Sequence, residues 1–123
     1  MIAGTPHSPG AAFVAFAREF LTALADGDHG EALNRLDQTG PRWTKRDLAA
    51  ALAAAAGGEP LCRPDAVAGR SARPALDADA AGDIYTLRHR LPVAGRWADA
   101  AAVFEFRRKG RSGYFKVRLL GFE

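Results

Sequence analysis

Residues 91–123, LPVAGRWADAAAVFEFRRKGRSGYFKVRLLGFE, decide the fold. Apolar and polar side chains alternate over residues 100–107 and again over residues 115–119, which is the period of a half-buried β-strand. Glycine and serine occur in residues 108–113 between the two runs, so the pattern predicts a β-hairpin. The predicted buried face carries Ala102, Phe104, Phe106, Phe115, Val117 and Leu119.

Two registers of this hairpin keep that face buried. The preferred register places Phe106 opposite Phe115, and it also places Glu105 opposite Lys116 as a favourable cross-strand ion pair. A two-residue shift, which places Phe104 opposite Phe115, buries the same face. A one-residue shift is excluded because it would turn every phenylalanine of the hairpin toward solvent.

The length and composition of the chain predict one domain over residues 1–123, with a loose leader over residues 1–8. The net charge of +3 does not by itself indicate a nucleic-acid partner. The single cysteine, Cys62, excludes an intramolecular disulfide and fits a cytoplasmic protein. The sequence shows neither a secretion signal nor an apolar run long enough to cross a bilayer, so we expect no membrane association.

Helices are predicted ahead of the strands, at about residues 10–25, 29–37 and 45–56. The first carries an apolar stripe with three phenylalanines, which is the natural partner of the hairpin's apolar face. Residues 59–83 are predicted to be mostly loop, with short edge strands at 61–62 or 66–67, and residues 83–93 form the next strand. This order predicts an α+β fold in which a curved antiparallel sheet wraps the N-terminal helices.

The end of the chain resembles a bacterial domain family of unknown function that occurs among candidate immunity proteins of polymorphic toxin systems. The resemblance covers about the last quarter of the chain and lies in Leu91, Pro92, Gly95, Trp97, Asp99, Phe104, Glu105, Phe106, Gly113 and Tyr114. It implies a cone-shaped, cystatin-like domain similar to nuclear transport factor 2. Relatives close with an acidic, histidine-bearing strand, whereas this chain ends in VRLLGFE, so roles attached to those positions do not carry over.

The same resemblance suggests where catalysis would occur, because enzymes with the cone fold use a histidine–aspartate pair as general acid and base. The candidates are His89 and Asp99, with Tyr85 or Trp97 lining the pocket. The alternative interpretation is a half-buried histidine and a carboxylate that caps turn amides. The scattered histidines and Cys62 lack the spacing of metal ligands, so no metal or cofactor is predicted.

Basic residues surround the hairpin turn, with Tyr114 and Phe115 between them. Arginines beside aromatic rings can bind nucleic acid, but Phe115 belongs to the buried face. A solvated hairpin, or a surface that meets an acidic protein, accounts for the same pattern. Nucleic acid is therefore not the predicted partner of this cluster, which consists of Arg107, Arg108, Lys109, Arg111, Lys116 and Arg118.

These observations, taken with the resemblance, predict a non-enzymatic protein that neutralises a bacterial toxin by direct binding. The expected partner is a cognate toxin or effector domain. The predicted partner-binding residues are Arg96, Trp97, Arg107, Arg108, Lys109 and Arg111. The alternative is a small-ligand-binding or hydrolase- or isomerase-like cone domain that uses His89 and Asp99.

Overall fold

Helices and an antiparallel sheet build the molecule in the order that the sequence predicts, so the α+β fold class is confirmed. The structure, a computed structural model, describes residues 2–3, 9–37, 42–67, 72–110 and 113–123. These residues form three α-helices, a short 3₁₀ turn at Pro64–Ala66 and five strands. The helices are α1 (Pro9–Ala25), α2 (His29–Asn34) and α3 (Lys45–Ala55), and the strands are β1 (Ile2–Ala3), β2 (Ala75–Ala78), β3 (Ile84–Val93), β4 (Arg96–Arg108) and β5 (Tyr114–Phe122).

Side-chain caps begin the two shorter helices. The Thr44 hydroxyl accepts a hydrogen bond from the Asp47 N–H at the start of α3, as an N-cap residue does. Asp28 caps α2 in the same way through the N–H of Glu31. The predicted end of α2 at residue 37 is wrong, because the Asp37 N–H donates to the Val117 carbonyl oxygen of β5 instead of continuing the helix.

The strands form one open, curved sheet in the order β1-β5-β4-β3-β2, with every neighbouring pair antiparallel. A two-residue turn joins β3 to β4, and both of its residues have positive φ, 51° at Ala94 and 79° at Gly95. This conformation belongs to the type I′ turn that tight hairpins favour. It fixes Val93 opposite Arg96.

Both registers predicted for the β4–β5 hairpin are wrong. Phe106 lies opposite Val117, Phe104 lies opposite Leu119, and Glu105 lies opposite Arg118. The difference arises because the turn is centred one residue later in the chain than the preferred register requires: Arg108 pairs with Phe115, and its guanidinium lies 4.8 Å above the centre of that ring. The predicted buried face is confirmed, so the one-residue shift was rightly excluded.

Two strands at the edges of the sheet are not predicted from the sequence. β2 lies within the region predicted to be mostly loop, and β1 lies within the predicted leader, whose other residues are outside the described part of the chain. The possible strand at 61–62 amounts to a single bridge between Leu61 and Val93. The possible strand at 66–67 is wrong, because Ala66 ends the 3₁₀ turn.

The core lies between α1 and the side of the sheet that we call the inner face. The ring of Phe13 stacks on Phe106 at 4.1 Å, and Phe20 meets Phe104 edge-on at 5.2 Å. Each such buried ring stabilises the fold by roughly 1.5–3 kcal/mol. The predicted packing of the first helix on the hairpin is therefore confirmed. Within the described ranges, no helix combines the length and apolar character that crossing a bilayer requires.

Candidate functional site

The structure does not bring His89 and Asp99 together as an acid–base pair. His89 lies on the inner face of β3 and is fully buried. The Asp99 side chain is fully exposed and forms an ion pair with Arg90, at 3.0 Å, on the opposite side of the sheet. The alternation of the strand gives part of this arrangement, because Arg90 directly follows His89 and so points to the other side of the sheet. Asp99 lies in an irregular part of β4, between Trp97, which pairs with Pro92, and Ala101, which pairs with Arg90.

His89 is buried with one ring nitrogen satisfied and the other without a partner. Its Nδ1 lies 2.9 Å from the Arg90 carbonyl oxygen, and because a carbonyl only accepts, Nδ1 carries the proton. The Nε2 atom is buried and has no hydrogen-bond partner. Burial lowers the pKa of His89 below its usual value of 6.5, and the positive charge of Arg18 acts in the same direction. The neutral imidazole is therefore favoured in the folded state.

The two aromatic residues predicted to line a pocket lie in different places. Tyr85 packs into the aromatic core, 5.2 Å from the ring of Phe13 and 5.8 Å from that of Phe115. Trp97 is half-buried and meets the His89 ring edge-on at 5.5 Å. Trp97 lines a groove of about 490 Å³ between the end of α3 and the start of β4, together with Arg96 and Asp99.

The predicted partner-binding residues divide into two groups at opposite ends of β4. Arg96 and Trp97 begin the strand, whereas Arg107 and Arg108 end it and Lys109 follows. Arg96 and Arg107 are eleven positions apart in β4, which at ~3.3 Å per residue is a span of about 35 Å. A single interface centred on both groups would have to cover the whole length of the sheet. Arg111 lies outside the described residues.

Arg108 is held by contacts within the molecule. Its Nε lies 3.3 Å from the Asp83 carboxylate, its Nη2 donates to the Gly82 carbonyl oxygen at 3.4 Å, and its guanidinium covers the Phe115 ring. These contacts tie the β2–β3 connection to the end of β4. We therefore assign Arg108 a structural role.

The outer face of the sheet, which is the side opposite the phenylalanines, is rich in cations. The core cluster contains residues of α1, α2 and α3 together with inner-face residues of the sheet. Strands β3–β5 place five basic side chains on the outer face, and each is half-buried or exposed. They are Arg88, Arg90, Arg107, Lys116 and Arg118. Sequence analysis named only Arg107 among these as a partner-binding residue.

Glu105 lies at the centre of this outer face and is shared by two arginines. Its Oε1 atom is 3.5 Å from Arg107 Nε and 3.7 Å from Arg118 Nη1, and neither contact meets hydrogen-bond criteria. Its side chain is only 15% exposed. One carboxylate therefore balances two guanidiniums, and no hydrogen bond to Glu105 fixes either of them.

A second groove that sequence analysis did not identify lies beside Trp43 at the β5 edge of the sheet. Its volume is about 390 Å³, and we call it the Trp43 groove. The sequence signal was the basic and aromatic segment 42–47, RWTKRD, which was interpreted only as a helix start. The groove is lined by Leu36, Arg42, Trp43, Asp47, Arg118 and Leu120.

The described residues provide no metal site, and the comparisons with known proteins find no relative. Within the described residues, no group of three or more His, Cys, Asp and Glu side chains is placed to hold a metal ion. Comparisons with protein-family models, with curated protein sequences and with solved structures give no significant match.

Proposed function

We propose that this chain is a non-enzymatic binding protein that neutralises a bacterial toxin by direct contact in the cytoplasm. The proposal takes the toxin class, and a cone-shaped form of the α+β fold, from the resemblance of residues 91–123 to candidate immunity proteins. Support for binding through a surface comes from the basic residues on the outer face of the sheet.

The observation that carries the proposal is the cationic outer face of strands β3–β5. Two of its basic residues, Arg107 and Arg118, share the single carboxylate of Glu105 at distances beyond hydrogen bonding. The Lys116 ammonium forms no ion pair or hydrogen bond with any described residue. A surface of this kind attracts an acidic protein over long range and speeds the formation of the complex. The proposed partner therefore presents acidic side chains.

The geometry around His89 supports a non-catalytic role. A general base must reach the proton that it abstracts, and its partner must orient it. The only described hydrogen-bond partner of the His89 ring is a backbone carbonyl, and the predicted Asp99 is bound to Arg90 on the outer face. The inner face beside β4 is filled by stacked phenylalanine rings.

The experiment is co-expression of this chain with the product of the adjacent gene, followed by affinity purification and a toxicity assay. We expect a complex that survives purification and protects the host cell. The double variant Arg107→Glu/Lys116→Glu should weaken the complex by about tenfold or more, mainly through slower association. The control is Arg46→Glu, which makes a charge reversal of the same sign on the exposed start of α3.

Two outcomes would contradict the proposal. A well-expressed neighbour that never co-purifies removes the basis for toxin neutralisation. Because Arg46→Glu changes the net charge by half as much as the double variant, a loss of binding free energy with Arg46→Glu that is half as large, or larger, would show that net charge, and not this face, controls binding.

A second candidate function is favoured by one observation, the buried and unpartnered Nε2 of His89. Such an atom can accept a hydrogen bond from a small ligand that enters behind Trp97, as in a ligand-binding or hydrolase-like cone domain. Under this alternative, a bound ligand would raise the thermal stability of the wild-type chain and leave His89→Phe unchanged. A fragment screen that finds no such ligand disfavours this candidate.

A further inference from the structure

The Trp43 groove combines a fixed aromatic ring with an exposed leucine. The Trp43 indole N–H donates to the Leu119 carbonyl oxygen at 2.8 Å, and the ring meets Phe122 edge-on at 6.4 Å. These contacts hold the half-buried ring in one orientation. The volume of about 390 Å³ lies at the small end of ligand pockets, which run from about 300 to 1,000 Å³.

A β-bulge presents Leu120 to this groove. Phe104 pairs with Leu119 and Val103 pairs with Gly121, so Leu120 is an extra residue with no partner in β4. Its side chain is 47% exposed, and it is one of three large hydrophobic residues described as exposed. Bulges often occur where a strand must redirect a side chain toward a functional surface. Here the bulge places an apolar side chain beside Trp43 at the edge of the sheet.

The edge of β5 next to the groove is already occupied by hydrogen bonds. Asp37 donates its N–H to the Val117 carbonyl oxygen and accepts the Val117 N–H on its carboxylate, each at 2.9 Å. The Leu119 carbonyl oxygen accepts the hydrogen bond from the Trp43 indole N–H. A partner therefore cannot add a strand at these positions, and it must engage the groove with side chains.

The charges around the groove favour a negatively charged occupant. Two carboxylates also line the groove. That of Asp37 accepts the Val117 N–H of the β5 backbone, and that of Asp47 lies at the positive end of α3, where the helix dipole offsets part of its charge. Arg42 is exposed and makes no ion pair or hydrogen bond with another described residue. Arg118 has only the 3.7 Å contact with Glu105, and it connects the groove to the outer face.

We infer that the Trp43 groove receives one apolar side chain of an acidic segment of the protein partner, with carboxylates on either side of that side chain meeting Arg42 and Arg118. An apolar centre with a charged rim is the common arrangement of an energetic hot spot. The inference rests on the proposed function in that it takes the occupant to be a protein, and it adds the place and chemistry of contact.

A peptide segment fits this groove better than a nucleic acid. A nucleic acid would need a ring face for base stacking and a run of cations along its backbone. The groove instead offers a single half-buried ring, that of Trp43, with two arginines and the aliphatic side chains of Leu36 and Leu120. These groups match carboxylates that flank a leucine or phenylalanine.

The test uses the full chain labelled with ¹⁵N and a capped synthetic peptide, Asp-Glu-Leu-Glu-Asp. We expect NMR shifts centred on the Trp43 indole N–H and the Leu120 amide, with millimolar affinity. The peptide with alanine in place of leucine should bind at least about threefold more weakly, and a Lys-Lys-Leu-Lys-Lys peptide should not bind. Added salt should weaken binding of the acidic peptide, because its carboxylates meet exposed arginines.

A matched pair of variants then locates the contact. Leu120→Ala should weaken binding of the acidic peptide by about threefold or more. Leu76→Ala, which removes another exposed leucine at the opposite edge of the sheet, should leave the affinity unchanged. Both leucines are exposed, so neither variant is expected to prevent folding.

Several results would overturn the inference. One is the absence of any shift at millimolar peptide, and another is a set of shifts confined to the β3–β4 turn. Binding of a short oligothymidylate at Trp43, tighter than the peptide and steeply salt-dependent, would identify a nucleic-acid site instead. If the co-expressed partner binds Leu120→Ala as tightly as the wild type, the groove inference fails while the proposed function stands. If no partner co-purifies but the peptide binds as described, the proposed function fails and the groove remains a peptide site.

Discussion

Lowering the pH should destabilise this protein through the buried imidazole of His89. The side chain is fully buried, and its pKa is held below 6.5, chiefly by burial and further by the charge of Arg18. The unfolded chain therefore binds a proton at a higher pH than the folded chain does. The free energy of unfolding then falls as the pH drops below about 6.5, and this loss stops once the pH passes below the folded-state pKa.

The size of the effect follows from one proton bound at the usual histidine pKa. Each pH unit below 6.5 costs about 1.4 kcal/mol while the folded state stays unprotonated. Between about pH 7.5 and pH 5.5 the contribution of His89 is therefore at most about 1.4 kcal/mol, the value for a folded state that stays unprotonated. The assay is urea unfolding of the wild type and of His89→Phe at both pH values. Phenylalanine keeps an aromatic ring against Trp97 and removes the titrating group.

The comparison uses the change with pH and not the absolute stability. His89→Phe loses the hydrogen bond to the Arg90 carbonyl oxygen, and that loss lowers its free energy of unfolding by about 1 kcal/mol at either pH. We expect the wild type to lose more free energy of unfolding than the variant between the two pH values, by up to about 1.4 kcal/mol. Parallel losses in the two proteins would refute the reasoning, because they would show that the His89 imidazole is not held neutral by the fold.

Three further predictions test the fold around the candidate sites. Ala94→Asn should raise the free energy of unfolding by about 0.5–1 kcal/mol, because asparagine tolerates the positive φ of the β3–β4 turn better than alanine; an unchanged urea midpoint would contradict this. Trp43→Phe should lower the free energy of unfolding by about 1 kcal/mol, since the Leu119 carbonyl oxygen loses its indole donor, and the shift should appear in both thermal and urea denaturation. Phe106→Ala should lower the free energy of unfolding by about 3–5 kcal/mol, whereas the exposed Leu76→Ala should lower it by less than about 0.5 kcal/mol. Similar losses in the two variants would mean that the inner face is not the core.

The sequence predicted the two faces of β3–β5 well, because burial on one side of a strand leaves a local period of two. Leu87 and His89 on β3, and Phe104 and Phe106 on β4, are all buried as the alternation indicates. The same alternation could not fix the hairpin register, because shifts of two residues bury the same face. In the structure the turn is centred one residue later than the preferred register requires, so that Arg108 lies opposite Phe115.

The candidate sites were harder to predict than the fold. Proximity of His89 and Asp99 in the sequence suggested a pair, but residues joined by a tight hairpin meet only if they share a face of the sheet. The Trp43 groove depends on contacts between residues about 76 positions apart in the chain, such as Trp43 with Leu119. No local pattern reports such a contact.

What the sequence determined by itself is the set of elements whose signals are local: the capped helices, the alternating strands and the apolar face that they share. Only the tertiary structure decided the edge strands, the hairpin register and the surfaces open to a partner. The four residues of β2 are all exposed and carry no alternation of burial, so they become a strand only because β3 offers them backbone partners. Likewise, Leu120 becomes an exposed contact residue only because the sheet inserts it as an unpaired residue beside Trp43.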